Sequence, residues 1–100
     1  MSLLNPLDPK DPNDIIDYAV NWAKWLRPGD EIISSTWTVE SGLNKIADPT
    51  TDVMDPFTPT IATVWVAGGT DGTDYAALNR ITTTQGRQRD KTITIRVQEL

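Results

Sequence analysis

A chain of 100 residues with 38% apolar side chains is the size of one domain around a single core. It has no cysteine and no histidine, which removes disulfide frameworks, thiolate ligands and the commonest general base and metal ligand. A net charge of −5 argues against nucleic acid as a partner, because phosphate neutralisation needs a basic stripe.

The charge is unevenly placed. Residues 1–79 carry four Lys/Arg against twelve Asp/Glu, a balance of −8, whereas residues 80–100 carry five against two, a balance of +3. A solvated surface that keeps a small domain soluble accounts for this. A charge pattern facing a partner, or another copy, in an assembly is the sharper reading. No apolar run reaches the roughly 18 residues of a membrane span. No charged-then-apolar leader opens the chain, so it is expected to stay where it is made or assembled.

Residues 1–13 form an expected extended arm. Pro6, Pro9 and Pro12 recur every third position, which favours polyproline II and denies backbone donors to a ladder. Leu3, Leu4 and Leu7 are its apolar side chains apart from Met1, and they either fray or strap onto a neighbouring subunit. Asp8, Asp11, Asp14 and Asp17 also recur at three, but a calcium site needs carboxylates that converge.

The stretch 14–26 fits two periods. Ile16, Tyr18, Val20 and Trp22 alternate as in a strand, while Ile15, Tyr18, Ala19, Trp22, Trp25 and Leu26 sit at helical spacing behind Asn13 or Asp14. The all-β character of the rest favours a strand through Tyr18–Trp22 and a short helical turn through Ala23–Leu26. Arg27-Pro-Gly-Asp30 is a turn. Glu31 to Val39 is extended, with Ile33, Trp37 and Val39 expected in the core, and Leu43–Ile46 is a short strand. Asp48 to Pro59, rich in proline and acid, is a long loop used for contact or left mobile.

The last forty residues carry the clearest signal. Ala62, Val64 and Val66 share one face, Tyr75 to Ile81 is a second extended run, and Ile93, Ile95 and Val97 alternate with Thr94 and Arg96. Gly68-Gly-Thr-Asp-Gly72 lacks the Gly-Lys-Ser/Thr ending and the following helix of a phosphate loop, so a hairpin is expected there. Six or seven short strands with turns near every tenth residue predict a small antiparallel β-sandwich over residues 14–100.

No chemistry emerges. The four serines (Ser2, Ser34, Ser35, Ser41) have no histidine to activate them. The carboxylates lie in loops and beside prolines, where acids serve solubility, so glycoside hydrolysis is not indicated. Among the tryptophans, Trp22 and Trp37 fall on apolar faces, whereas Trp25 and Trp65 fall opposite them. An outward tryptophan can be covered by the chain's own N-terminal segment, anchor a protein interface, or stack on a sugar.

Two resemblances sharpen this reading. Asp71-Gly-Thr-Asp-Tyr75 entering a strand, then Gly86 and a closing Thr92–Val97 run, resembles the last two strands of immunoglobulin-like sandwiches. Tyr75 stands at the tyrosine-corner position, where its hydroxyl would bond back to loop backbone. Ala62–Gly69, Tyr75, Asn79–Thr83, Gly86-Arg87 and Ile93–Val97, with Asp17-Tyr18, Asn21-Trp22, Trp25-Leu26 and Ser35–Val39 upstream, resemble a family of small tailed-phage and prophage virion proteins that includes fiber–tail adaptors. The similarity runs from about Asp11 to Val97, with Asn21 where the family usually has an acid. It implies an all-β, immunoglobulin-like sandwich behind a proline-rich arm, and a non-enzymatic structural protein without cofactor or metal. It implies location in the virion after assembly in the host cytoplasm. The partners would be other virion proteins of tail, fiber or capsid, in multiple copies, and neither nucleic acid nor membrane. An adaptor between tail and fiber is the expected role, with a capsid decoration protein and a carbohydrate-binding module as the alternatives. Leu3, Leu4, Leu7, Trp25, Phe57 and Trp65 are the expected interface residues.

Overall fold

The computed structural model describes residues 8–100. Six strands form in chain order: β1 (Ile15–Asn21), β2 (Ile32–Val39), β3 (Leu43–Ile46), β4 (Ile61–Gly68), β5 (Thr73–Thr83) and β6 (Gln88–Val97). They pair antiparallel into two three-stranded sheets, ordered β1-β4-β3 and β2-β5-β6. The all-β sandwich predicted from the alternation is the fold, with no helix among the described residues.

Period two decides which side chains meet between the sheets. Tyr18 and Val20 of β1 and Ala62, Val64 and Val66 of β4 are buried against Tyr75, Ala77 and Ile81 of β5 and Ile93, Ile95 and Val97 of β6. Trp22, Ile32, Trp37 and Leu43 complete this core. The ambiguity over residues 14–26 resolves as a strand over Ile15–Asn21, longer at its start than the expected Tyr18–Trp22 and ending before Trp22. Trp22 then accepts from the N–H groups of Trp25 and Leu26 at 2.9 and 3.0 Å, which closes one tight turn.

Two expectations fail for identifiable reasons. Ile33 is 55% exposed while Ile32 is buried. A β-bulge between Ile32 and Ser34 shifts the register, so alternation restarts with Ser35, Trp37 and Val39 inward. Gly68–Gly72 is not a hairpin, because β4 and β5 belong to different sheets and the segment crosses from one layer to the other. Gly69 has φ +97°, and a Cβ there would lie 2.6 Å from Val97 Cγ2, so the crossing hugs β6 too closely for a side chain. The hairpin proper joins β5 to β6, where Gly86 at φ +81° donates its N–H to Thr83 O at 3.0 Å.

Of the arm expected over residues 1–13, Leu3, Leu4 and Leu7 lie outside the described residues. Lys10 is fully buried and forms a parallel bridge with Val97. Its N–H donates to Arg96 O and its carbonyl accepts from Gln98 N–H, both at 2.8 Å. Its ammonium donates to Gly68 O at 2.7 Å and Asp11 O at 2.9 Å. Burial lowers the Lys10 pKa, against the opposing pull of Asp14 and Asp11. Tyr18 reaches the same region by donating its hydroxyl to Asp8 O at 3.3 Å. Burial first, then Asp14 and Asp8, pushes its pKa up to about 12.

The sandwich therefore has two unlike edges. β1 and β6 flank one, closed near Val97 by Lys10. β3 and β2 flank the other. There Lys45 Nζ donates to Trp37 O at 2.8 Å and to Asp55 Oδ2 at 3.0 Å, while Trp37 N–H points at the same carboxylate oxygen at 3.4 Å.

Candidate functional site: an aromatic cleft and an acidic excursion

Two surfaces stand out by composition. The first is an open cleft of about 440 Å³ at the far end of the β1/β6 edge, lined by β1, the turn after it and the start of β6. Its construction begins with Asn79, which is fully buried. Asn79 Oδ1 accepts from Trp22 Nε1 at 3.0 Å, and Nδ2 donates to Ser35 Oγ at 3.0 Å and Thr36 O at 3.1 Å. This clamp ties the end of β1 in one sheet to β2 and β5 in the other. Asn21 Oδ1 accepts from Ala23 N–H at 3.0 Å, which completes the turn carrying Trp25.

Trp25 packs edge-on against Trp22, with ring centroids 5.5 Å apart at 64°. The Arg87 guanidinium lies 3.8 Å from the Trp25 ring centroid and donates to Trp25 O at 3.2 Å; Arg89 lies 5.4 Å from the ring. Arg87 is held from behind by Asp30, 3.9 Å away. The Asp30 side chain is buried and anchors the β5–β6 hairpin, accepting on Oδ1 from Thr84 Oγ1 at 2.9 Å, Gln85 N–H at 3.0 Å and Glu31 N–H at 3.1 Å. Burial alone would raise its pKa. Hydrogen bonds from Thr84, Gln85, Thr83 and Glu31 outweigh it and hold the carboxyl below the usual aspartate value.

The cations follow from strand phase. Arg87, Arg89 and Lys91 occupy the same alternate positions as Ile93, Ile95 and Val97. As β6 runs past the core, the face that was apolar becomes basic. The other face carries cross-strand pairs instead, Arg80 with Asp90 at 2.8 Å and Arg96 with Asp74 at 3.2 Å. Among the described residues, Lys24, Arg89 and Lys91 have no carboxylate within salt-bridge reach, and all three line the cleft.

The second surface is the stretch 48–59. Ile46 of β3 faces Trp65, and Phe57 faces Ala62 of the same neighbour strand. Eleven residues thus advance on one strand against three on the other, so residues between 46 and 57 loop out and the chain returns to the β4 edge. Thr63 N–H donates to Pro56 O at 3.0 Å and Thr58 N–H to Ile61 O at 2.8 Å on the return. The excursion is internally braced: Asp48 Oδ1 accepts from the N–H and hydroxyl of Thr50 at 2.8 Å each, and Asp52 N–H donates to Asp48 O at 2.8 Å. Those bonds from Thr50 hold the Asp48 pKa below its usual value. Val53, Met54 and Phe57 are about half exposed, at 48%, 50% and 43%. A groove of about 210 Å³ between the base of the excursion and the outer face of β4 holds Phe57 and Trp65.

The expected interface residues thus separate. Trp65 and Phe57 share a groove on the outer face of the β1-β4-β3 sheet, and Trp25 stands apart from them in the cleft. Trp65 is bordered by the excursion, where the N-terminal segment had been one expected cover. Sequence reasoning did not name Asp30, Asn79 or the cations Arg87, Arg89 and Lys91 as site residues, although those cations alternate in phase with Ile93 and Ile95. That phase was the available signal.

No curated protein shows significant similarity to the chain. The family model described as podophage GP4 fiber-tail adaptor protein gp77 matches residues 10–96, from the buried Lys10 to the penultimate residue of β6. With nearly the whole sandwich inside that match, the chain belongs to the podophage fiber-tail adaptor family, whose members are structural components of the virion.

Proposed function

We propose that this protein is a non-enzymatic link between tail and fiber in a podophage particle, assembled in the host cytoplasm and held by protein–protein contacts on both sides. Family membership over residues 10–96 carries the reading. A bridging part needs a rigid body with separate surfaces, and the sandwich offers the Trp25 cleft at one edge and the Phe57–Trp65 groove on the outer face of the β1-β4-β3 sheet. Leu3, Leu4 and Leu7 supply a third contact, as a strap onto a neighbour. An immunoglobulin-like arrangement suits the same role. It is supported by the order β1-β4-β3 and β2-β5-β6, which parallels the B-E-D and C-F-G strands of such domains, and by Tyr75, whose hydroxyl accepts from Thr70 N–H at 2.9 Å.

Particle composition tests the role. An adaptor is expected at about 6 or 12 copies per virion, as cyclic symmetry of a tail implies, whereas a capsid decoration protein is expected in the hundreds. Quantitative mass spectrometry against the major capsid protein separates these. A count in the hundreds sinks the adaptor reading. At the surface level, Phe57→Ala with Trp65→Ala should abolish co-purification with one virion partner and leave the other bound. Specific glycan binding that the same pair of changes removes would argue for a sugar site instead.

A further inference from the structure

We propose that the Trp25 cleft receives the acidic excursion of a second copy of this chain, so that copies associate head to tail. The cleft holds three cations without a carboxylate partner, Lys24, Arg89 and Lys91, around an aromatic ring. The excursion offers the complement. Asp48 and Asp52 pair with no cation among the described residues, and Val53 and Met54 beside them are half exposed.

The two surfaces do not meet within one molecule. β1 and β6 line the cleft, whereas the excursion is tied to β3 and β2 through Asp55 and its base borders the outer face of β4, and among the described residues none of the cleft cations pairs with one of its carboxylates. Between molecules they can pair, through a heterologous contact that repeats from copy to copy. Overall charge does not forbid this. Screening over about 10 Å at 0.1 M salt makes the local fields of cleft and excursion outweigh the distant remainder of −5.

The excursion is also built to be inserted. The bonds that Asp48 accepts from Thr50 and Asp52, and the one its N–H donates to Val53 O (2.9 Å), fix the excursion's shape before contact, so little ordering remains to oppose binding. Methionine and tryptophan are well suited to meet each other, through the polarisable sulfur and the ring. This inference goes beyond the adaptor role, whose partners are tail and fiber.

Sedimentation velocity of the full chain, over a concentration series at low and high salt, tests the contact with two variants. The acceptor variant carries Arg89→Glu and Lys91→Glu. The donor variant carries Asp52→Asn and Met54→Ser, the asparagine being chosen because Asp52 has φ +60° and asparagine tolerates that conformation. Both change exposed side chains, and unchanged melting temperatures establish that each is folded. The wild type should gain mass with concentration and lose most of that gain at high salt. Each variant alone should stay monomeric. An equimolar mixture retains one good donor and one good acceptor, so it should form 1:1 pairs and stop there. A wild type that stays monomeric at low salt overturns the proposal, as do variants that associate like the wild type or a mixture that grows past pairs. Incorporation into particles is scored separately. A monomeric wild type that still enters particles sinks the head-to-tail contact alone, whereas salt-sensitive association in a protein absent from particles sinks the adaptor role alone.

Discussion

At the residue scale, two side chains do work that their types do not announce. Tyr75 sits at the start of β5 with its hydroxyl accepting from Thr70 N–H at 2.9 Å. Thr70 lowers the tyrosine pKa, through its side chain first and through this backbone N–H second. The bond pins the crossing between the sheets, where Gly69 presses on Val97. Tyr75→Phe removes the acceptor and leaves a part-buried N–H unpaired, so Tm should fall by roughly 5 °C; an unchanged Tm would show that the hydroxyl does not pin the loop. Tyr75 was legible because a tyrosine entering a strand behind a glycine turn is a recognisable pattern. Asp30 was not, since one acid in a Pro-Gly-Asp turn looks like any turn residue until Thr84 and Gln85 arrive from far along the chain. Its lowered pKa fixes the sign of its pH effect. A carboxylate whose folded pKa lies below the unfolded value of about 4 adds stability that is fully present above that value and lost as pH falls through the folded one. Urea midpoints of wild type and Asp30→Asn should therefore differ most near neutral pH and converge below about pH 4. A gap that stays constant with pH would mean that the charge of Asp30 does not matter.

At the element scale, alternation made the strands of the second half legible. Ala62–Val66 and Ile93–Val97 bury the faces that their spacing predicts. Alternation failed at β2, because a bulge shifts the phase without a compositional mark, and Ile33 went outward in place of Ile32. It was silent on edges. Trp37 exposes its N–H and carbonyl on the free side of β2, and these are taken by Asp55 and Lys45, ten residues apart across the excursion. Covering an edge in this way prevents another strand from adding to it. It also puts a charge pair in a largely buried setting, with side chains 26% and 12% exposed. Removing one member leaves the other uncompensated. Lys45→Met should cost about 1–3 kcal/mol by urea denaturation, and adding Asp55→Asn should cost less than the sum of the single changes. Strict additivity would mean that the two groups act independently.

At the scale of the whole molecule, the question is where the folded body begins. Proline spacing suggested an arm to residue 13, and composition could not reveal that Lys10 lies inside that stretch, because a lysine beside three prolines looks solvated. In the fold Lys10 is fully buried, bridges Val97 and bonds Gly68 O on the neighbouring sheet, and the family match starts at the same residue. Two truncations separate body from strap. Removing residues 1–7 leaves in place every Lys10 contact among the described residues, so urea stability should stay within about 1 kcal/mol of wild type. Removing residues 1–13 strips the Val97 end of β6 of its partner and leaves Gly68 O without a donor, which should cost about 3 kcal/mol or more. If Leu3, Leu4 and Leu7 strap onto a neighbour, the shorter truncation should fold normally yet be missing from particles, as read by mass spectrometry of purified virions. Normal incorporation of that truncation would make residues 1–7 a passive tail and assign all assembly contacts to the cleft, the groove and the excursion.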